Sequence, residues 1–136
     1  MSYPENFPQI LAVAAIVIDE TGNILLRKRT KEPDQGKWEY IAGYVKPGER
    51  LEDTVRRKLK EKVGITEVQS IEFTGKYYDD PNRHPGTYCI PLVFIVRVQQ
   101  NNVTIAPDTR WFSPTEAREL EMALDNKQIL QDLDLV

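Results

Sequence analysis

Cysteine and histidine are nearly missing from this chain of 136 residues, each occurring once, as Cys89 and His84. A single thiol has no partner within the chain, so an intramolecular disulfide is excluded. Cys89 lies in an apolar run, the setting of a buried structural thiol. Any acid–base role for a histidine falls to His84 alone, which sits in a polar loop. No apolar stretch approaches the ~18 residues that span a bilayer, and the N-terminus has no secretory hydrophobic segment. A cytoplasmic location without a membrane partner is therefore expected. An excess of positive charge is also lacking: the net charge of -3 argues against a broad nucleic-acid surface. There is no internal repeat and no low-complexity segment.

The composition, 40% hydrophobic and 29% charged, is that of an ordinary soluble globular protein. Its length fits one domain, residues 1–136, large enough to bury a core without cross-links. Charge is unevenly spread. Glu49 to Lys62 holds six basic and four acidic residues, whereas Ser113 to Val136 holds two basic and six acidic. A locally positive centre in an acidic protein is a first sign of anion binding.

Residues 1–9, with Pro4 and Pro8, read as an irregular lead-in. Ile10 to Ile18 (ILAVAAIVI) is almost continuously apolar, the pattern of a strand buried on both faces. Asp19 to Asn23 makes a turn, and Ile24 to Arg29 forms the returning strand. Lys31 to Lys37 is a loop, Trp38 to Val45 is β-prone, and Lys46-Pro47-Gly48 breaks it. Val68 to Tyr78 and Thr87 to Val98 follow as strands, with Pro91 implying an edge position or a bulge in the second. Arg110-Trp111-Phe112 is a short strand. Ser113-Pro114-Thr115-Glu116 then opens a C-terminal helix, with Ser113 as cap and Glu116 at N3. The expected fold class is α/β (α+β), a mixed sheet sandwiched between helices.

Leu51 to Val63 is the clearest helix. Leu51, Val55, Leu59 and Val63 recur every four residues, and Gly64 follows where a C-cap is wanted. Arg56, Lys60, Glu52 and Asp53 lie largely opposite this apolar stripe. Lys62 projects onto the stripe and Lys58 to its edge, with Glu61 further around. Two readings are open for these lysines: their stems cover apolar surface while the ammonium reaches water, or they serve a site.

Gly43, five residues, Glu49, seven residues, Arg57, and then Lys58-Leu59-Lys60-Glu61-Lys62-Val63-Gly64-Ile65 resembles the Nudix box. Gly43, Glu49, Arg57, Leu59, Glu61, Gly64 and Ile65 match in register. Trp38, Pro47-Gly48 and the Arg110-Trp111-Phe112 strand extend the likeness over nearly the whole chain. The resemblance implies the Nudix fold and a pyrophosphohydrolase acting on a nucleoside diphosphate linked to another group, of ADP-ribose or nucleotide-sugar kind. It implies catalysis by Glu61, Arg57 and Glu49, with Glu61 and Glu49 as ligands to Mg2+ or Mn2+. Family members often form dimers, so a homodimer is expected, and no nucleic-acid partner follows.

Three acidic positions of the family pattern here read Lys58, Glu61 and Lys62. Hard cations need several converging carboxylates, and they neutralise charge on both sides of the breaking phosphoanhydride while lowering the pKa of a bound water. Exchanging two of three glutamates for lysine moves the local charge by about four units, and each lysine ~4 Å from such an ion repels it by several kcal/mol. Three readings follow. Hydrolysis persists through Glu61, Glu49 and carboxylates from elsewhere (Asp79, Asp80, Asp108 or Glu116). Alternatively, Lys58 and Lys62 stand in for the cations, and the domain binds a diphosphate ligand as a sensor or regulatory module. In the third, the lysines form structural ion pairs.

Tyr77 to Pro85 resembles the loop that family members acting on ADP-ribose-like ligands place over the substrate. Tyr78 is a candidate to stack a base and Arg83 to hold phosphate, against the plain reading of a polar surface loop. Arg27 and Arg29 alternate on a strand and are further candidates for ligand binding. Trp38 and Trp111 are either base-stacking or core residues.

Overall fold

The structure, a computed structural model, describes residues 3–84 and 86–135. Its apolar run forms the central strand, β1 (Gln9–Ile18). Side chains alternate across a strand, so this run faces two cores. Val13, Ala15 and Val17 meet Val55, Leu59 and Val63 of helix α1 (Leu51–Val63) on one side. Ala14, Ile16 and Ile18 meet Ala117 of α2 (Pro114–Arg118) and Ile129 and Leu130 of α3 (Asn126–Asp132) on the other. Each such fully buried Val, Leu or Ile contributes roughly 1.5–3 kcal/mol, so double-sided burial makes β1 the thermodynamic axis of the fold.

The sheet is mixed. β1 runs parallel to β6 (Tyr88–Arg97) along its whole length, from Gln9 opposite Tyr88 to Ile18 opposite Arg97. Its other edge is shared: β4 (Ile41–Tyr44) pairs with Ala12 to Ala15, and β2 (Ile24–Lys28) with Val17 and Ile18. β3 (Trp38–Glu39) and β7 (Thr109–Phe112) extend from β2, and β5 (Ser70–Tyr77) from β6, all antiparallel. The seven strands thus fork where β1 changes partner. Tyr40 lies at the fork, and the expected strand from Trp38 to Val45 divides there into β3 and β4.

Two further details differ from the sequence expectation. Pro91 is not on an edge strand, because β6 has β1 on one side and β5 on the other. A bulge does lie beside it, but in β5 and not in the Pro91 strand: the register shifts between Phe73 and Tyr77, opposite Leu92 to Phe94, and the Thr74 hydroxyl donates to the Val93 carbonyl at 2.8 Å. The C-terminal helix is not continuous but ends at Arg118 and restarts at Asn126. Pairing with β3 explains the interruption. Trp38 N donates to Glu121 O at 3.1 Å, and Ala123 N donates to Trp38 O at 2.8 Å, which holds residues 121–123 extended.

Candidate functional site

Helix α1 begins after Arg50 without a side-chain cap, and Gly64 ends it in the left-handed conformation at φ 69°. Arg57 holds the segment before the helix. Its Nε and Nη2 donate to the two oxygens of Glu49, each at 2.8 Å, and Nη2 also donates to Tyr44 O at 3.0 Å. Glu49 Oε1 further accepts from the Thr54 hydroxyl at 2.7 Å and from Lys46 N at 3.2 Å. The Arg57 hydrogen bonds, with that of Thr54, hold the Glu49 carboxyl far below the usual carboxylate range. Arg57 therefore orients Glu49 first, and reaches Glu61 only at 3.4 Å.

Lys58 and Lys62 do not turn away from the interior. Lys58 lays its stem across the Cα of Gly43 on β4, where an added Cβ would stand 2.3 Å from Lys58 Cε. Gly43 thus serves close approach within a strand, not loop geometry; Gly48, at φ 80°, does serve the turn. The Lys58 ammonium meets Glu61 Oε2 at 3.1 Å, and this hydrogen bond, with Arg57, lowers the Glu61 pKa. Lys62 Nζ donates to the Ala42 carbonyl. Burial pulls the Lys62 pKa down to about 8, partly countered by the Glu39 carboxylate.

Both lysines line a cleft of about 390 Å3 at the fork of the sheet. Its wall includes Arg29, Lys31, Arg83 and His84 and a single carboxylate, Glu39. Arg29 donates to Glu39 at 2.9 Å and to Pro33 O at 2.6 Å. Arg83 is held by Asp125 through two bonds of 2.6 and 2.7 Å, so the loop after β5 is tied to the start of α3. Of the residues singled out in the sequence, Lys58, Lys62, Arg29, Arg83 and His84 come together here.

Others stand elsewhere. Arg27 pairs with Asp108 at 3.4 Å, outside the cleft lining. Tyr78 turns its hydroxyl to Asp132 at 2.7 Å and also stays outside the lining. Trp38 packs edge-on against Phe112 at 4.8 Å, and Trp111 packs against the α1-side core. Glu116 completes the Ser113 capping box, and Asp80 accepts from Asn82 N at 2.9 Å. Glu39, Tyr40, Leu124, Asp125 and Asn126 were not singled out. Their roles depend on contacts across the fork, which no local pattern carries.

A divalent cation in the family's place does not fit this donor set. Glu49 is committed to Arg57 and Thr54, and Glu61 lies between two cationic side chains. Among the described residues, no group of three or more His, Cys, Asp or Glu could hold a metal ion.

A family model described as the NUDIX domain matches residues 8–133. An ADP-ribose pyrophosphatase of Methanocaldococcus jannaschii is 28% identical over 117 residues, 85% of this chain and 68% of that protein. A mitochondrial NAD(P)H pyrophosphatase of Homo sapiens is 33% identical over 81% of this chain, which spans 31% of that relative. The NUDIX domain of Shewanella oneidensis NrtR, complexed with ADP ribose, superposes with a TM-score of 0.79 at 22% identity, covering 98% of this chain and 92% of that one. A longer NrtR structure, complexed with a 27mer DNA, gives 0.77 at 22% identity over 89% of this chain and 58% of that one. With the fold, the register of the box and a family match over nearly all its length, the chain belongs to the Nudix family.

Proposed function

We propose that this Nudix domain binds a nucleoside diphosphate derivative of the ADP-ribose kind, with Lys58 and Lys62 supplying the positive charge that divalent cations bring in the family's box. One observation carries the reading. Both lysines reach the wall of one cleft while the carboxylates that should hold metal are tied to Arg57 and Lys58. Arg29 and Lys31 add positive charge to that wall, and Glu39 is its one carboxylate. A partly desolvated cleft with an excess of positive charge attracts a polyanion. The cleft is a local concavity on a chain of net charge -3, so the partner assigned to it is a small anion.

Calorimetric titration of ADP-ribose in excess EDTA tests this. Binding that survives chelation and weakens tenfold or more in Lys58→Ala/Lys62→Ala is the expected result. Binding that needs added metal would sink it.

Hydrolysis of the same ligand is the second reading, supported by the two pyrophosphatases among the relatives. It requires Glu61 to leave Lys58 and to work with Mg2+ or Mn2+. Release of AMP from ADP-ribose that depends on either ion and is lost in Glu61→Gln would establish it.

A further inference from the structure

Asn126 lines the cleft and is almost fully buried, at 2% exposure. Its Oδ1 accepts from Tyr40 N at 3.0 Å, at the point where β3 gives way to β4. That bond fixes the direction of the amide: oxygen to the backbone, nitrogen away from it. Among the described residues Nδ2 has no hydrogen-bond partner, and it is not sealed from solvent. A donor with no protein partner that still opens onto the cleft is available to an acceptor on a bound ligand.

The neighbourhood indicates which part of a ligand belongs there. Tyr40, Leu124, Cys89 and Pro91 give this cleft its uncharged lining, and the Arg83 charge is already met by Asp125. Lys58 and Lys62 come from α1. Phosphates go to the lysines. A heterocycle, with flat apolar faces and acceptors on its edge, suits a largely uncharged wall that presents the fixed Asn126 donor.

We propose that Asn126 is a specificity-determining residue that reads the nucleobase by donating from Nδ2 to an acceptor on the base edge. The proposal rests on the cleft being a nucleoside diphosphate site, and it adds which end holds the base. Donors aimed at a base edge discriminate strongly, because a mismatched ligand leaves them unpaired.

The experiment titrates ADP and inorganic pyrophosphate, in EDTA, into the natural protein and Asn126→Asp. The substitution keeps an acceptor for Tyr40 N and replaces the inward donor by an acceptor. Its added charge weakens both ligands, so the readout is the ratio of their affinities. The expected result is a tenfold or greater fall in the ADP-to-pyrophosphate ratio. Three ADP analogues, with ring nitrogen 1, 3 or 7 replaced by CH, are titrated alongside. One of them should bind the natural protein at least tenfold less tightly than ADP does, and show no further selective loss in Asn126→Asp.

A ratio unchanged within twofold, or three analogues that all bind like ADP, overturns the proposal while leaving the cationic cleft intact. Asn126-dependent ADP binding without pyrophosphate binding upholds the proposal and removes the lysines from the reading. If neither ligand binds, both fall. Should Asn126→Asp fail to fold, the analogue series on the natural protein decides alone.

Discussion

At the scale of single residues, Gly43 and Glu49 carry separate burdens that the box pattern does not distinguish. A Cβ on Gly43 would collide with the Lys58 stem, not with backbone, and a flexible stem can move. Gly43→Ala should therefore cost about 1–3 kcal/mol of stability, and push Lys58 off the cleft wall. Urea denaturation beside a pyrophosphate titration checks the pair: a modestly lowered midpoint with weakened binding is expected. Glu49 is outside the cleft lining and is held by Arg57 and Thr54, so its substitution is expected to act on stability. Its folded pKa is depressed below the ordinary 4.5, so its contribution is present above that pH and is lost as pH falls toward the folded value. Glu49→Gln should lower the melting temperature at pH 7 and flatten the acid limb of stability below about 4.5, measured by thermal melts from pH 3 to 7. A mutant that keeps the natural pH slope would show that the Arg57 pair contributes nothing.

At the scale of elements, local signals located what local physics controls. The four-residue spacing from Leu51 to Val63 and the glycine after it marked α1 to both ends, since a stripe and a left-handed cap are properties of a dozen neighbouring residues. The wheel also placed Lys62 on the stripe, and its ammonium is indeed drawn inward to Ala42. The Ser113 capping box set where α2 starts but not where it stops, because the stop comes from Trp38, over 80 residues earlier in the chain. Pro91 was legible only as a choice between edge and bulge in its own strand; β6 is interior and the bulge falls in the neighbouring β5. The Tyr40–Asn126 and Arg83–Asp125 contacts, 86 and 42 residues apart, had no signature in spacing at all. That is why half the cleft wall escaped the sequence. The capping box itself predicts a measurable loss. Ser113→Ala removes the acceptor for Glu116 N at 3.1 Å and should cost about 1 kcal/mol of stability. A chemical-denaturation midpoint unchanged by the substitution would show α2 held by Ala117 packing alone.

At the scale of the whole molecule, the question is whether charge can be exchanged between protein and ion without disturbing the scaffold. α1 packs on the sheet through Val55, Leu59 and Val63, none of which the lysine positions replace. Lys58→Glu/Lys62→Glu should therefore fold, but less stably without metal, because a carboxylate at the half-buried position 62 would lack a partner. It also removes the ammonium that occupies Glu61 Oε2, leaving three carboxylates on one turn. At an effective dielectric near 20, a unit charge ~4 Å from another contributes about 4 kcal/mol. Reversing two charges thus turns strong repulsion of a cation into strong attraction. Mn2+ should raise the melting temperature of the double variant and leave the natural protein unmoved; at a hundredfold excess over Kd the stabilisation is about 2.7 kcal/mol. In EDTA the same variant should lose ADP-ribose affinity more than tenfold, and regain it when Mn2+ is restored. Equal thermal shifts in both proteins would mean that the natural helix already holds the ion, and the lysines would then have to be assigned to packing.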